Sequence, residues 1–234
     1  TIFENTNKPL RDWFRVIHMM LTSKKGISAL QVMRVMGFGS YKTAHYMCHR
    51  VRAGLANEEF RALMRIVEVD ETFVGGKGDR STSAARHIPI MALIEQGGNV
   101  KTRVISSVTA KNLGSVINEL VDKRATISTD EHPGYKNPAK DFAAHYSVNH
   151  SKNEYTLRKP DGTNYGTNNC ESFFSLLKRG VYGAWHCVSR EHLQKYSDEF
   201  AFRWNTRHLT DGARTAAAMP MIEGKRLMYR QPAN

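Results

Sequence analysis

The stretch Arg65-Ile66-Val67-Glu68-Val69-Asp70 decides how the rest of the sequence is interpreted. This apolar run ends in an acid and predicts a β-strand over residues 66–74, with Asp70 inside the strand or near its end. A second run, Ala125-Thr126-Ile127-Ser128-Thr129-Asp130, predicts a short buried strand that leads directly into Asp130. Two such strands can bring both carboxylates to one edge of a sheet.

A third acid, Glu171, lies in Thr167-Asn168-Asn169-Cys170-Glu171-Ser172-Phe173-Phe174, which predicts the first turn of a helix. Three clustered carboxylates can hold two divalent cations about 3.5–4 Å apart, and such a pair activates water and stabilises a leaving oxygen in phosphodiester cleavage. We therefore predict Asp70, Asp130 and Glu171 as catalytic residues and metal ligands. The alternative for each acid is a solvated position in a loop.

Three further acids compete for the role of ligand. Strand alternation puts Glu68 on the same face as Asp70, so Glu68 is an alternative ligand. Glu71 and Glu131 are expected to point away from their neighbouring aspartates. His150, near the end of the fifth predicted strand, is a candidate auxiliary residue, although a single histidine is more often structural.

The pattern between residues 66 and 185 predicts three strands, a helix, a strand, a helix, a strand and a long helix. This order is typical of an α/β ribonuclease-H-like fold, which is a mixed sheet that begins with an antiparallel meander and has helices on its faces. In such a sheet the first and fourth strands lie side by side, so Asp70 and Asp130 are expected within reach of one metal pair.

Three short helices are predicted before the sheet, with the turn Gly37-Phe38-Gly39 between the second and the third. This small all-α arrangement is typical of a helix-turn-helix DNA-binding domain. The third helix, residues 41–55, has apolar residues on one side, and its other side is expected to be a solvated surface. The residues expected on that surface are Lys42, Thr43, His45, Tyr46, His49, Arg50 and Arg52. Of these we predict Lys42, Tyr46, His49 and Arg50 as DNA contacts, and the alternative is a basic surface without a partner.

The distribution of charge also favours a nucleic-acid partner. The formal net charge is +12, and residues 1–65 hold 11 Lys and Arg against 4 Asp and Glu. Such an excess indicates binding to a polyanion, here double-stranded DNA. The alternative is that the charge serves solubility alone.

Lys178 and Arg179 lie two turns past Glu171 and are predicted to contact DNA phosphates. They would also be favourable charges at the end of a helix.

Several classes of protein are excluded by composition. No apolar run approaches the roughly 18–20 residues that a membrane span needs. The three cysteines, Cys48, Cys170 and Cys187, are far apart and form neither a disulfide framework nor a zinc site. We expect no membrane association and a reducing, cytoplasmic location, associated with the nucleoid in a bacterium. Because the chain begins at Thr1, we expect it to be a fragment or a processed form of a longer protein.

At these residues the chain resembles a DDE transposase of bacterial insertion sequences, in the group related to the eukaryotic Merlin elements. The resemblance covers roughly residues 8–208. The matching stretches are Val69-Asp70-Glu71-Thr72-Phe73-Val74-Gly75-Gly76-Lys77, Thr129-Asp130-Glu131-His132, Val148-Asn149-His150-Ser151, Glu171-Ser172-Phe173-Phe174-Ser175-Leu176-Leu177-Lys178-Arg179-Gly180, and the run from His192 to Asn205.

The resemblance implies the chemistry. Water attacks at a transposon end and frees a 3′ hydroxyl, which then attacks target DNA. Asp70, Asp130 and Glu171 match the three metal ligands, with Mg²⁺ as the cofactor and Mn²⁺ as a substitute. A homodimer or higher assembly on transposon-end and target DNA is implied. The family usually begins with a zinc ribbon of paired cysteines, and no cysteine precedes Cys48 here.

These observations divide the chain into three predicted parts. Residues 1–65 form a helical DNA-binding domain, residues 66–185 form the catalytic domain, and residues 186–234 complete the catalytic domain with helices. The alternatives to a transposase are a domesticated, non-catalytic DNA-binding protein and a metal-dependent nuclease that cleaves DNA without strand transfer.

Overall fold

The computed structural model describes residues 1–56, 61–75, 87–149, 154 and 156–227. The chain forms two compact units, each of which contains more than one segment. The sheet unit comprises Glu59–Lys178 and Ser189–Gln194. The helical unit comprises Thr1–Glu58, Arg179–Val188 and Lys195–Asn234.

The sheet unit contains a five-stranded mixed sheet in the order β3-β2-β1-β4-β5. β1 is antiparallel to β2 and parallel to β4, and β4 is parallel to β5. The predicted ribonuclease-H-like fold is confirmed, and so is the expected adjacency of the first and fourth strands. The strands are β1 (Ile66–Val74), β2 (Ile88–Glu95), β3 (Val100–Val104), β4 (Thr126–Thr129) and β5 (Ala144–Ser147).

One layer of this unit's core follows from helical periodicity. Helix α4 (Ala110–Leu120) begins after Thr109, whose hydroxyl accepts a hydrogen bond from the Asn112 N–H. Its apolar face packs in one buried cluster with residues of β1, β2 and β4. The cluster includes Leu113, Ile117, Leu120, Val67, Val69, Leu93 and Ile127.

Two local features differ from the sequence prediction. The helix expected near residues 136–142 is only a 3-10 turn, Pro138–Asp141, and prolines at 133 and 138 favour such short turns. A two-stranded hairpin, β6 (Thr156–Arg158) and β7 (Asn164–Gly166), was not predicted. β7 ends just before helix α5 (Asn168–Gly180), so the hairpin leads the chain into the helix that carries Glu171.

The helical unit is built from segments at both ends of the chain. Its helices are α1 (Leu10–Thr22), α2 (Ala29–Met36), α3 (Tyr41–Gly54), most of α6 (Arg190–Asn205) and α7 (Asp211–Ala218). Trp13, Ile17 and Met47 share one buried cluster with Phe202 and Ile222. This grouping differs from the predicted division, because the chain from Lys195 onward completes the helical core and not the catalytic sheet.

The expectation of a fully solvated basic surface on α3 is wrong for His49, Arg50 and Arg52, which are all buried. The Arg52 Nε–H donates to Glu199 Oε2 at 2.7 Å, and both side chains are nearly inaccessible to solvent. The Arg50 guanidinium donates to the Glu4 carbonyl oxygen at 2.6 Å. α6 and the N-terminal segment therefore cover much of the face that was predicted to be open.

Within the described residues, no helix is both long enough and apolar enough to cross a membrane.

Candidate active site

The two aspartates occupy equivalent places relative to two neighbouring strands, since Asp70 lies within β1 and Asp130 directly follows β4. In the parallel pairing of β1 with β4, Glu68 lies opposite Ser128. Asp70 follows Glu68 by two residues, and Asp130 follows Ser128 by two residues. Both aspartates are partly buried, while Glu68 and Ser128 are almost fully buried. The strand register therefore brings the two aspartates to the same level of the sheet, as the sequence predicts.

Backbone N–H groups fix one oxygen of each aspartate. The Glu71 N–H donates to Asp70 Oδ1 at 2.8 Å, and the His132 N–H donates to Asp130 Oδ1 at 3.0 Å. These contacts restrict the rotation of both carboxylates, which is a form of preorganisation for binding a charged ligand.

Glu171 lies in the first turn of α5, and its side chain is exposed. The start of α5 is anchored on β1, because the Asn169 N–H donates to Glu68 Oε2 at 2.8 Å.

Glu68 was an alternative metal ligand in the sequence prediction. In the structure both of its carboxylate oxygens accept hydrogen bonds, two from Asn169 and one from Gln96. Asn169 has no distinctive sequence signal beyond its place at the start of a helix.

The electrostatics connect the three acids. The pKa of Asp70 is raised to about 7, first by burial and then by the negative charges of Glu71, Asp130 and Glu171. Since Asp130 and Glu171 both act on this carboxyl, the acids of β1, β4 and α5 share one electrostatic environment. A cation would relieve the repulsion among them.

Tyr135 is a neighbour of this site that the sequence did not reveal. It follows Asp130 in the turn Pro133–Tyr135, is fully buried, and donates its phenolic O–H to Glu71 Oε2. Burial raises the pKa of Glu71, and the hydrogen bond from Tyr135 opposes that shift. Pro133 and Gly134 predict a turn at this place in the sequence, but they do not indicate that Tyr135 contacts Glu71.

The donor chemistry of the site fits a hard divalent cation, because carboxylate oxygens are the ligands that Mg²⁺ prefers. Over the parts of the chain that the structure describes, no group of three or more His, Cys, Asp or Glu side chains is already arranged to hold a metal ion. Asp70, Asp130 and Glu171 thus have the chemistry of a metal site, and the side chains would have to draw together around a cation.

The residues predicted to contact DNA fall in different settings. Lys42, Tyr46 and Arg50 line one groove of about 340 Å³ in the helical unit, whereas His49 does not line it. Lys178 and Arg179 lie in the last turn of α5, where Lys178 is partly buried and Arg179 is exposed. His150 lies outside the described residues.

A mixed sheet of this strand order, with one acid inside β1, one directly after β4 and one on α5, defines a ribonuclease-H-like protein. A family profile for the ISXO2-like transposase domain matches residues 62–205, which is more than half of the chain. The chain therefore belongs to the ISXO2-like transposases, and the resemblance to DDE transposases of insertion sequences is confirmed. The family is one of DNA-processing enzymes.

Comparisons with solved structures and with curated proteins give no further support for a function. One solved structure with a similar chain is described as a cryo-EM structure of the simian T-cell lymphotropic virus intasome in complex with PP2A regulatory subunit B56 gamma. The two chains are 14% identical, the match covers 95% of this chain and 76% of that chain, and the TM-score is 0.39, so the similarity carries no functional argument. A search of curated proteins found no match.

Proposed function

We propose that this chain cuts transposon-end DNA and joins the freed 3′ hydroxyl to target DNA, with Asp70, Asp130 and Glu171 as its catalytic carboxylates. One observation carries the proposal. The parallel register of β1 and β4 brings Asp70 and Asp130 to the same level of the sheet, and the hydrogen bond from the Asn169 N–H to Glu68 holds the first turn of α5, which carries Glu171, on β1. Acids from three elements that repel one another are a poor arrangement for stability alone, and this favours a binding role.

Mg²⁺ is the proposed cofactor, with Mn²⁺ as a substitute, and the three carboxylates would hold it. When bound, divalent cations supply Lewis acidity at the reacting phosphate and at the attacking water. The contribution of the chain is to hold Asp70 and Asp130 through their backbone N–H donors, and to present Glu171 from the first turn of α5. The oxygen-only donor set supports this choice of cation.

DNA is the proposed partner, and the charge of +12 supports it. Lys42, which is exposed beside the groove of the helical unit, is the strongest of the proposed phosphate contacts on α3. Lys178 and Arg179 are proposed contacts at the end of α5. The buried residues His49 and Arg50 are not proposed as direct contacts. A homodimer or higher assembly on DNA is also part of the proposal, as the resemblance to transposases that act on paired ends implies.

A strand-transfer assay tests this function. The protein is incubated with labelled transposon-end DNA, a target plasmid and either Mg²⁺ or chelator. We expect joined products with Mg²⁺ and none with chelator. Cleavage without joined products would indicate a nuclease, and DNA binding without cleavage would indicate a non-catalytic DNA-binding protein; either result would contradict the proposal.

A further inference from the structure

Two buried polar residues lie at matching places beneath the proposed active site. Glu68 is two residues before Asp70 on β1, and Ser128 is two residues before Asp130 on β4. The two are directly paired in the parallel sheet. We propose that Glu68 and Ser128 are positioning residues that hold the start of α5 on the sheet, so that Glu171 is presented to the aspartates. This inference rests on the proposed function for its catalytic meaning, although its structural part stands on the contacts alone.

Glu68 makes the stronger of the two attachments. Its side chain is 3% exposed, and its carboxylate accepts hydrogen bonds from the Asn169 N–H at 2.8 Å and the Asn169 Nδ2–H at 2.7 Å. Gln96 Nε2 donates to the same carboxylate at 3.3 Å. Hydrogen bonds to an ionised acceptor are stronger than neutral ones, and a negative charge near the first turn of a helix is favourable. Glu68 therefore fixes the first turn of α5 through both the backbone and a side chain.

Ser128 holds the chain just before that turn. It is fully buried, and its Oγ–H donates to the Gly166 carbonyl oxygen at 2.9 Å. The thiol of Cys170, also fully buried, lies 3.5 Å from the carbonyl oxygens of Glu68 and Ala92. The segment from Gly166 to Cys170 is thus attached to β4, β1 and β2, and the next residue is Glu171.

These attachments are all made to the residues immediately before Glu171, and this favours positioning over general stabilisation. A buried carboxylate carries a desolvation penalty that an apolar residue of similar size would avoid. Glu68 offsets the penalty with hydrogen bonds that specify one placement of α5. The polar groups of Glu68 and Ser128 therefore determine where the Glu171 side chain emerges from the sheet unit.

The test exchanges the donor and the acceptor of the side-chain hydrogen bond between Asn169 and Glu68. In Glu68→Gln, the negative charge is lost and an NH₂ group replaces one of the two oxygens that accept hydrogen bonds from Asn169. In Asn169→Asp, two carboxylates oppose each other. The double variant Glu68→Gln, Asn169→Asp restores a donor–acceptor pair. Ser128→Ala is a milder variant that removes one hydrogen bond, and Glu119→Gln, at an exposed ion pair of the same unit, is the matched control.

Hydrogen exchange of the amides of residues 166–173 is the first measurement, and it needs no activity. We expect each variant at Glu68 or Asn169 to speed exchange at the start of α5 by about tenfold, as the loss of a charge-assisted hydrogen bond implies, and Ser128→Ala to speed it by a smaller factor. Exchange in α4 should not change, and the double variant should recover most of the protection. Wild-type exchange in the single variants would overturn the proposal, whether or not the chain proves to be a transposase.

The second measurement is steady-state cleavage of transposon-end DNA at matched folded fractions. We expect each single variant to lower kcat by about tenfold or more while KM for DNA stays within about twofold, with rescue in the double variant. Loss of activity that simply follows the melting temperature, without reciprocal rescue, would overturn the positioning role. A wild-type chain that does not cleave DNA would refute the proposed function, while the exchange measurement would still decide whether Glu68 and Ser128 hold α5.

Discussion

Asp70 is partly buried and lies near other carboxylates, and both conditions affect its pKa. Its pKa is raised to about 7 because burial and three neighbouring carboxylates all disfavour its ionised form. Alternation along β1 correctly placed Asp70 and Glu68 on one face, but it did not separate their roles. The hydrogen bonds from Asn169 make that distinction, and they depend on a residue 101 positions away in the sequence.

The pKa of Asp70 predicts how stability depends on pH when no divalent cation is present. The folded pKa lies above the ordinary value of 3.8, so the folded state keeps a proton that the unfolded state has already lost. The free energy of unfolding should therefore fall as the pH rises from about 4 to 7, by at most about 1.4 kcal/mol per pH unit from this group.

Asp70→Asn should remove that part of the slope, so the variant gains stability over the wild type at pH 7 and much less at pH 4.5. Urea unfolding in chelator at both pH values measures the difference. Repeating the measurement in Mn²⁺ is the control, because a bound cation should stabilise the wild type selectively. A stability difference that stays the same at both pH values in chelator would contradict the assignment of the shifted pKa to Asp70.

The proposed catalytic role of the aspartates gives a second prediction. Asp70→Asn and Asp130→Asn should each lower the cleavage rate by about 100-fold or more, since an amide NH₂ group that does not bind a divalent cation replaces one carboxylate oxygen. DNA affinity should stay the same or rise, because a charge that repels phosphates is removed. Cleavage of labelled DNA and fluorescence anisotropy measure the two effects, with Glu119→Gln as the control. Near wild-type cleavage by Asp130→Asn would refute the site assignment.

At the scale of elements, the predictions that succeeded rest on local patterns. β1 and β4 follow from short apolar runs that end in acids, and α5 follows from its 3.6-residue period. β6 and β7, with three residues each, are too short to have a detectable period. The burial of one side of α3 was also not predictable locally, because Arg52 pairs with Glu199, which lies 147 residues away.

The corrected view of α3 changes the prediction for DNA binding. Lys42 is exposed, whereas Arg50 holds the N-terminal segment through the Glu4 carbonyl oxygen. Each phosphate contact adds roughly −0.9 to the slope of log affinity against log salt. Lys42→Glu should therefore make that slope shallower by about one unit, while the melting temperature changes little.

Arg50→Gln provides the contrast, since it should lower the melting temperature more than it changes the salt slope. DNA affinities measured by anisotropy between about 50 and 200 mM salt test both variants. A salt dependence that is nearly flat for the wild type would argue against a DNA partner altogether.

At the scale of the whole molecule, composition indicated a nucleic-acid partner but did not indicate where the two compact units begin and end. The excess of basic residues before residue 66 favours a nucleic-acid partner for a region that lies mainly in the helical unit. It could not reveal that Phe202, Ala218 and Ile222 complete the same core, because contacts between distant parts of a chain leave no local pattern. The expectation that Asp70 and Asp130 lie close together followed from the strand order, which makes β1 and β4 neighbours, whereas the shared role of the three acids stays a prediction.

The last prediction concerns the stability of the folded chain in the presence of metal. A cation that binds the folded arrangement of Asp70, Asp130 and Glu171 must raise apparent stability by mass action, by about 2.7 kcal/mol at one hundred times its dissociation constant. Mn²⁺ is the more sensitive probe, because Mg²⁺ gives up its water ligands reluctantly when DNA does not supply an oxygen. We expect the melting temperature of the wild type to rise with Mn²⁺ and to fall back with chelator.

The double variant Asp70→Ala, Asp130→Ala should be more stable than the wild type in chelator, because the mutual repulsion of the carboxylates is removed, and its melting temperature should not respond to Mn²⁺. Glu119→Gln should respond as the wild type does, which controls for weak binding of the cation to surface acids. Equal Mn²⁺ shifts in the wild type and the double variant would mean that the cation binds elsewhere. In that case the assignment of the three acids as metal ligands would be refuted.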